Sequence, residues 1–92
     1  MKNNFYEWVM GQADLLTEPS PGVTLVELAG DRRVLIENHG GVTVYGQKEI
    51  RIRSSYGMLC VHGTNLELAR MTKQQLIITG CIESVSLFRG AC

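Results

Sequence analysis

The sequence predicts an all-β domain, a small antiparallel sandwich or roll of about seven short strands entered from a short amino-terminal helix. Three observations carry this reading. From Val34 to Gly63 the chain, VLIENHGGVTVYGQKEIRIRSSYGMLCVHG, holds four apolar pulses cut apart by glycine-bearing turns. Within the pulses apolar and polar residues alternate with period two. The apolar pairs Val34/Ile36, Val42/Val44, Ile50/Ile52, Leu59/Val61, Leu66/Leu68 and Leu76/Ile78 then recur roughly every seven to ten residues, as in hairpin-connected meanders. A short β-solenoid with glycine corners is the alternative of equal spacing. A chain of this length would supply only about three rungs with uncapped ends, which favours the sandwich or roll.

Residues 1–22 are read as a helix and a proline-containing linker, 23–88 as the β domain and 89–92 as a tail. In FYEWVMGQADLL, residues 5–16, Phe5, Trp8, Val9, Leu15 and Leu16 fall near one face at helical spacing. Asn4 is an N-cap candidate and Glu7 stands at the capping-box position. Gly11 costs such a helix about 1 kcal/mol relative to Ala, so it needs packing to persist. Trp8 is the natural source, stapling the helix over one end of the sheet; its other use is as an aromatic anchor facing a partner. Thr17 to Gly22, TEPSPG, ends the helix, since Pro19 and Pro21 bias the residues before them away from it.

From Val23 the strands follow: VTLVEL, RRVLIE after Gly30-Asp31, and GVTVYG after Asn38-His39-Gly40-Gly41. EIRIRS alternates most cleanly, with Ile50 and Ile52 inward and Glu49, Arg51 and Arg53 outward. GMLCVHG is apolar on both faces, which predicts a central strand covered on both sides. After Gly63-Thr64-Asn65 comes LELA, then a polar turn at Thr72 to Gln75 and QLIITGCIESVSLF. In this last run Leu76, Ile78 and Ile82 keep one parity and Val85 and Leu87 take the other. One extra residue has to be absorbed near Glu83-Ser84, as a bulge or a bend.

Composition narrows the function. Nine Lys/Arg balance nine Asp/Glu, which argues against a nucleic acid or anionic-surface partner. No apolar run approaches the roughly 20 residues of a membrane span, and Glu7 and Asp14 stand where a signal peptide would be uncharged. Three cysteines without a CxxC pair fit a reducing cytoplasm. A chain of 92 residues buries only roughly 60 to 65% of its unfolded surface, so a homo-oligomer or an obligate protein partner is expected.

Reactive chemistry finds little support. Glu37, Asn38, His39 and Gly41 make the most distinctive polar turn, in which glycine supplies positive φ and Asn38 can bond its own backbone. His39, Cys60 and His62 are the one soft-ligand set the pattern offers, but turn packing accounts for His39 more simply. Cys60 and Cys81 read as small core residues, with no base spaced to activate them. Arg51 and Arg53, with Lys48 and Arg70, make either a basic partner-contacting stripe or a solvated face answered by Glu49 and Glu67 across strands. No GxSxG, phosphate loop or paired-carboxylate arrangement is present, so no enzyme, no metal and no cofactor is expected.

With these segments laid out, IENHGG (Ile36 to Gly41), the GxLxVxGxxLxL run from Gly57 to Leu68 and IxGxI followed by alternating apolar residues (Ile78 to Leu87) resemble the YabP/YqfC family of bacterial sporulation proteins, most closely its YqfC branch. The resemblance covers residues 23 to 88. The chain departs from the family in its SPGVTLVELAG lead and its cysteine-bearing tail. The resemblance implies a non-enzymatic protein of spore morphogenesis, cytoplasmic in the mother cell and working beside a membrane partner of the YqfD type at the forespore. It transfers no catalytic residue, and Glu37, Asn38, His39 and Gly41 only as a signature of unassigned role. A small-ligand or metal sensor centred on that turn is the rival expectation.

Overall fold

A computed structural model describes residues 22–90 of the chain. The expected helix over residues 5–16 with Trp8, most of the linker and Cys92 lie outside the described residues. Within them the fold is all-β and antiparallel throughout. The strands are β1 (Leu25–Ala29), β2 (Arg33–Glu37), β3 (Val42–Tyr45), β4 (Glu49–Ser54), β5 (Gly57–Met71) and β6 (Gln75–Phe88). They form one sheet in the order β1-β2-β6-β5-β4-β3. Antiparallel pairing at every ladder rules out the solenoid, whose rungs are parallel.

The long hairpin of β5 and β6 is the spine. Its first half, the amino-terminal part of β5 with the carboxy-terminal part of β6, pairs with β4, whereas its far half pairs through β6 with β2. Between the halves the ladder shifts register at Glu83, at Asn65-Leu66 and at Ala69. Such bulges bend and coil strands, and here they turn one half of the sheet over the other. The bulge at Glu83 falls where the parity of β6 changes in the sequence.

The described residues hold six strands rather than seven because GMLCVHG and LELA are one continuous strand. Gly63-Thr64-Asn65 reads as a turn but acts as the bend. Asn65 takes φ 54°, a left-handed conformation that Asn tolerates. At Gly63 a Cβ would collide with the Cys81 carbonyl oxygen, so only glycine lets the two backbones approach there.

The core lies between the halves. Val34 and Ile36 of β2, Ile50 and Ile52 of β4, Leu59, Val61 and Leu66 of β5, and Leu76 and Ile78 of β6 are fully buried in one cluster. The alternations in β2 and β4 point their apolar residues as their spacing dictates. β3 does not: a register shift between Val42 and Val44 leaves Val42 against the core and turns Val44 to solvent. Leu59, Cys60 and Val61 are all buried, as a strand flanked on both sides and covered on both faces requires.

Candidate functional site

The signature turn sits where the rolled sheet closes. Asn38 takes φ 62° and Gly41 φ 114°, and together they swing the chain out of β2 and into β3. The excursion touches three other segments. The Asn38 amide donates to the Gln74 carbonyl at 2.6 Å, and its Nδ2 donates to the Val23 carbonyl at 3.0 Å. Gly40 N–H donates to the Arg53 carbonyl at 2.7 Å, and Arg53 N–H to the Gly41 carbonyl at 2.8 Å. The lead into β1, the end of β4 and the β5–β6 turn are thus all tied to four residues.

His39 holds the turn with both ring nitrogens. Gly41 N–H donates to Nδ1 at 2.9 Å, and Nε2 lies 2.9 Å from the Thr72 carbonyl. An amide can only donate and a carbonyl only accept, so Nδ1 is the bare nitrogen and Nε2 carries the proton. This tautomer leaves neither nitrogen for a metal. His62 is engaged elsewhere, 3.1 Å from Glu49 Oε2. Among the described residues no three His, Cys, Asp or Glu side chains come together as a metal site. Cys60 is buried, and Cys81 is a free thiol with Arg32 Nη1 3.6 Å from its sulfur.

Two residues that the sequence reading did not single out complete the seam. Thr24, 4% exposed, donates its hydroxyl to the Asn38 carbonyl at 2.8 Å and accepts Ser55 N–H at 2.9 Å. Its own amide donates to Ser55 Oγ at 3.0 Å. Thr24 and Ser55 are 31 residues apart, and only the completed roll brings them together.

Beside the turn lies a polar cleft of about 370 Å³ lined by Glu37, Asn38, Arg70, Thr72, Gln74 and Gln75. Gln75 Nε2 donates to Glu37 Oε2 at 3.4 Å across its wall. Arg51 and Arg53, read as outward neighbours, have different surroundings. Arg51 Nε donates to Glu49 Oε2 at 2.8 Å, so its charge is answered along its own strand, while the same carboxylate oxygen reaches across to His62. The Arg51 hydrogen bond holds the Glu49 carboxyl below the usual carboxylate range. Arg53 keeps its head in solvent, and its stem lies over Gly40, where an added Cβ would come within 3.2 Å of it.

A larger concavity of about 580 Å³ opens at the end of the roll where β1 and β6 approach each other. Thr24, Leu25, Val26, Tyr56, Leu87, Phe88 and Arg89 line it, and most of its surface is apolar. Burial pushes the Tyr56 phenol above its ordinary range. The sheet has open edges at β1 and β3, and β3 turns Val44 and Tyr45 outward, Tyr45 being 58% exposed. Among the described residues no helix is long and apolar enough to cross a membrane.

The YabP family model matches residues 22–90, the whole of the described domain. The chain is also similar to the uncharacterized protein YqfC of Bacillus subtilis (strain 168), with 20% identity over 84 residues that cover 91% of this chain and 90% of that one. No solved structure matches.

Proposed function

The chain belongs to the YabP family, and on that premise we propose that it is a non-enzymatic assembly or adaptor module of spore formation. It works in the mother-cell cytoplasm as a homo-oligomer or beside a membrane protein of the YqfD type. The observation that carries this reading is how the polar groups of the signature turn are used. Asn38, His39, Gly40 and Gly41 direct their hydrogen-bonding groups at Val23, Arg53, Thr72 and Gln74 of the same chain, which leaves the turn a fastening and not a reactive centre. What the domain offers outward is strand edge and apolar side chain. An open edge strand bearing exposed Val44 and Tyr45 suits addition of a partner strand, main-chain bonds giving affinity and alternate side chains selectivity.

The sensor reading loses its ligand set once both His39 nitrogens are spoken for. It keeps only the cleft with Glu37 and Arg70, so a saturable thermal shift that survives in a Glu37→Gln, Arg70→Gln variant counts against it. The adaptor reading is tested in sporulating cells. Deleting the gene impairs sporulation and spares vegetative growth, and Val44→Lys with Tyr45→Asp reproduces the deletion although the protein accumulates and folds. Normal sporulation in either strain overturns it.

A further inference from the structure

We propose that the carboxy-terminal half of β6 pairs with the same half of a second copy, antiparallel about a two-fold axis at Ser86. This half is an edge that the strand order conceals. β2 lies along β6 only from Gln75 to Thr79, and beyond it the amides of Gly80 and Ile82 donate to the carbonyls of Arg32 and Asp31. From Ser84 to Phe88 the strand has β5 on one side and, among the described residues, no backbone partner on the other. The bulge at Glu83 decides which groups are left open. Ile82, on the core face, turns its N–H away from β5, and the extra residue passes that orientation to Val85 and Leu87, which take over the core face opposite Val61 and Leu59. Their amides and carbonyls therefore point outward. The end of this edge is exposed on both faces, Leu87 by 63% on the core face and Phe88 by 40% on the other.

The edge is complementary to itself. In an antiparallel pairing centred on Ser86, Val85 stands opposite the partner's Leu87 and exchanges both main-chain bonds with it, while Ser84 stands opposite the partner's Phe88. Glu83 at one end then meets the partner's Arg89 at the other, and the same contacts recur across the axis. Neither charge has an ion-pair partner among the described residues. Opposite charges and apolar side chains set directly across from each other stabilise an antiparallel pair, whereas like charges there destabilise it. β1 shows the contrast, because pairing with itself about its middle residue sets Glu27 against Glu27. A second copy is thus the occupant that the chemistry of the β6 edge specifies. The interface is isologous and closed, and it leaves β3 free. It gives an interface to the homo-oligomer of the function proposed above and rests on that part of the reading alone.

Sedimentation of the full-length chain over a wide range of concentration tests the pairing. The expected result is a dimer that dissociates on dilution. Glu83→Arg and Arg89→Glu each set like charges against each other at both ends of the interface and weaken the dimer by about tenfold or more. An equimolar mixture of the two variants regains wild-type affinity, since each supplies the charge that the other lacks. Leu87→Pro removes an outward N–H that the β5–β6 ladder does not use, which gives a monomer with an unchanged circular dichroism spectrum; should that variant fail to fold, the charge mixture decides. Val44→Lys with Tyr45→Asp, on the β3 edge, leaves the dimer intact. A dimer indifferent to the charge variants, or a mixture no tighter than either variant alone, overturns the proposal. So does a wild-type chain that is monomeric at every concentration, and if the β3 variant still fails in sporulating cells the adaptor reading stands without this interface.

Discussion

Replacing Thr24 by Val keeps the shape of a side chain that is 4% exposed and removes its hydroxyl. That hydroxyl makes two bonds, one donated to the Asn38 carbonyl and one accepted from Ser55 N–H, at 2.8 and 2.9 Å. Each is worth about 0.5–1.5 kcal/mol net, and each leaves a backbone group behind that costs about 1–3 kcal/mol where water cannot reach it. Asn38 and Ser55 are themselves exposed, so solvent recovers part of that penalty. The expected loss is about 2 kcal/mol, which for a domain of this size lowers the melting temperature by about 8–16 °C. Thr24→Ser retains both bonds and gives up one methyl group, a loss of about 0.8 kcal/mol or less. Urea unfolding followed by circular dichroism measures the pair, with midpoints moving at constant slope if the native state alone is affected. A Thr24→Val midpoint equal to wild type, or a Thr24→Ser variant as damaged as Thr24→Val, would refute the assignment of the seam to this hydroxyl.

His39→Ala removes two bonds at a partly solvated turn and should cost about 1–2 kcal/mol, whereas His39→Asn, whose side-chain oxygen can accept from the amide two residues on, should recover roughly half of that in the same unfolding assay. If His39→Ala leaves stability intact but abolishes one protein interaction, the turn is an epitope and not a fastening. The Glu49 carboxyl is held below its free value near 4.5, so the stability it adds is present above that pH and is lost as the pH falls through its lower folded value. Glu49→Gln should accordingly lower the unfolding midpoint at neutral pH. The gap from wild type should close on acidification below 4.5 and narrow in high salt; a gap that persists at pH 2 excludes the carboxylate as its source.

Periodicity exposed the parts of this fold whose neighbours are fixed by parity. Val34 and Ile36, Ile50 and Ile52, and Leu76 and Ile78 had to share faces, and the irregularity at Glu83 followed from counting residues between Ile82 and Val85. The sheet order did not follow, because six similar apolar strands carry no label saying that β2 pairs with β6. Gly63-Thr64-Asn65 has the composition of a turn, and only the backbone of Cys81 lying against Gly63 reveals a bend inside a single strand. Legibility of the site had the same limit. A polar, glycine-bearing turn at Asn38 to Gly41 was evident, but its partners Val23, Thr24, Arg53, Thr72 and Gln74 are chosen by topology over separations that no local pattern spans. Arg51 pairing with Glu49 on its own strand also differs from the expected cross-strand arrangement, since the β4–β5 register puts His62 opposite Glu49 and Cys60 opposite Arg51.

The pairing of β2 with β6 has a consequence for how the molecule is made. A ribosome releases Arg33–Glu37 long before Gln75–Phe88, and until then β2 has no strand to pair with other than β1. Nothing resembling the finished domain can assemble during most of translation. Nascent chains stalled before Gln75 should engage holdase chaperones and stay protease-sensitive, because β2 then lacks the strand segment Gln75–Thr79 that it pairs with.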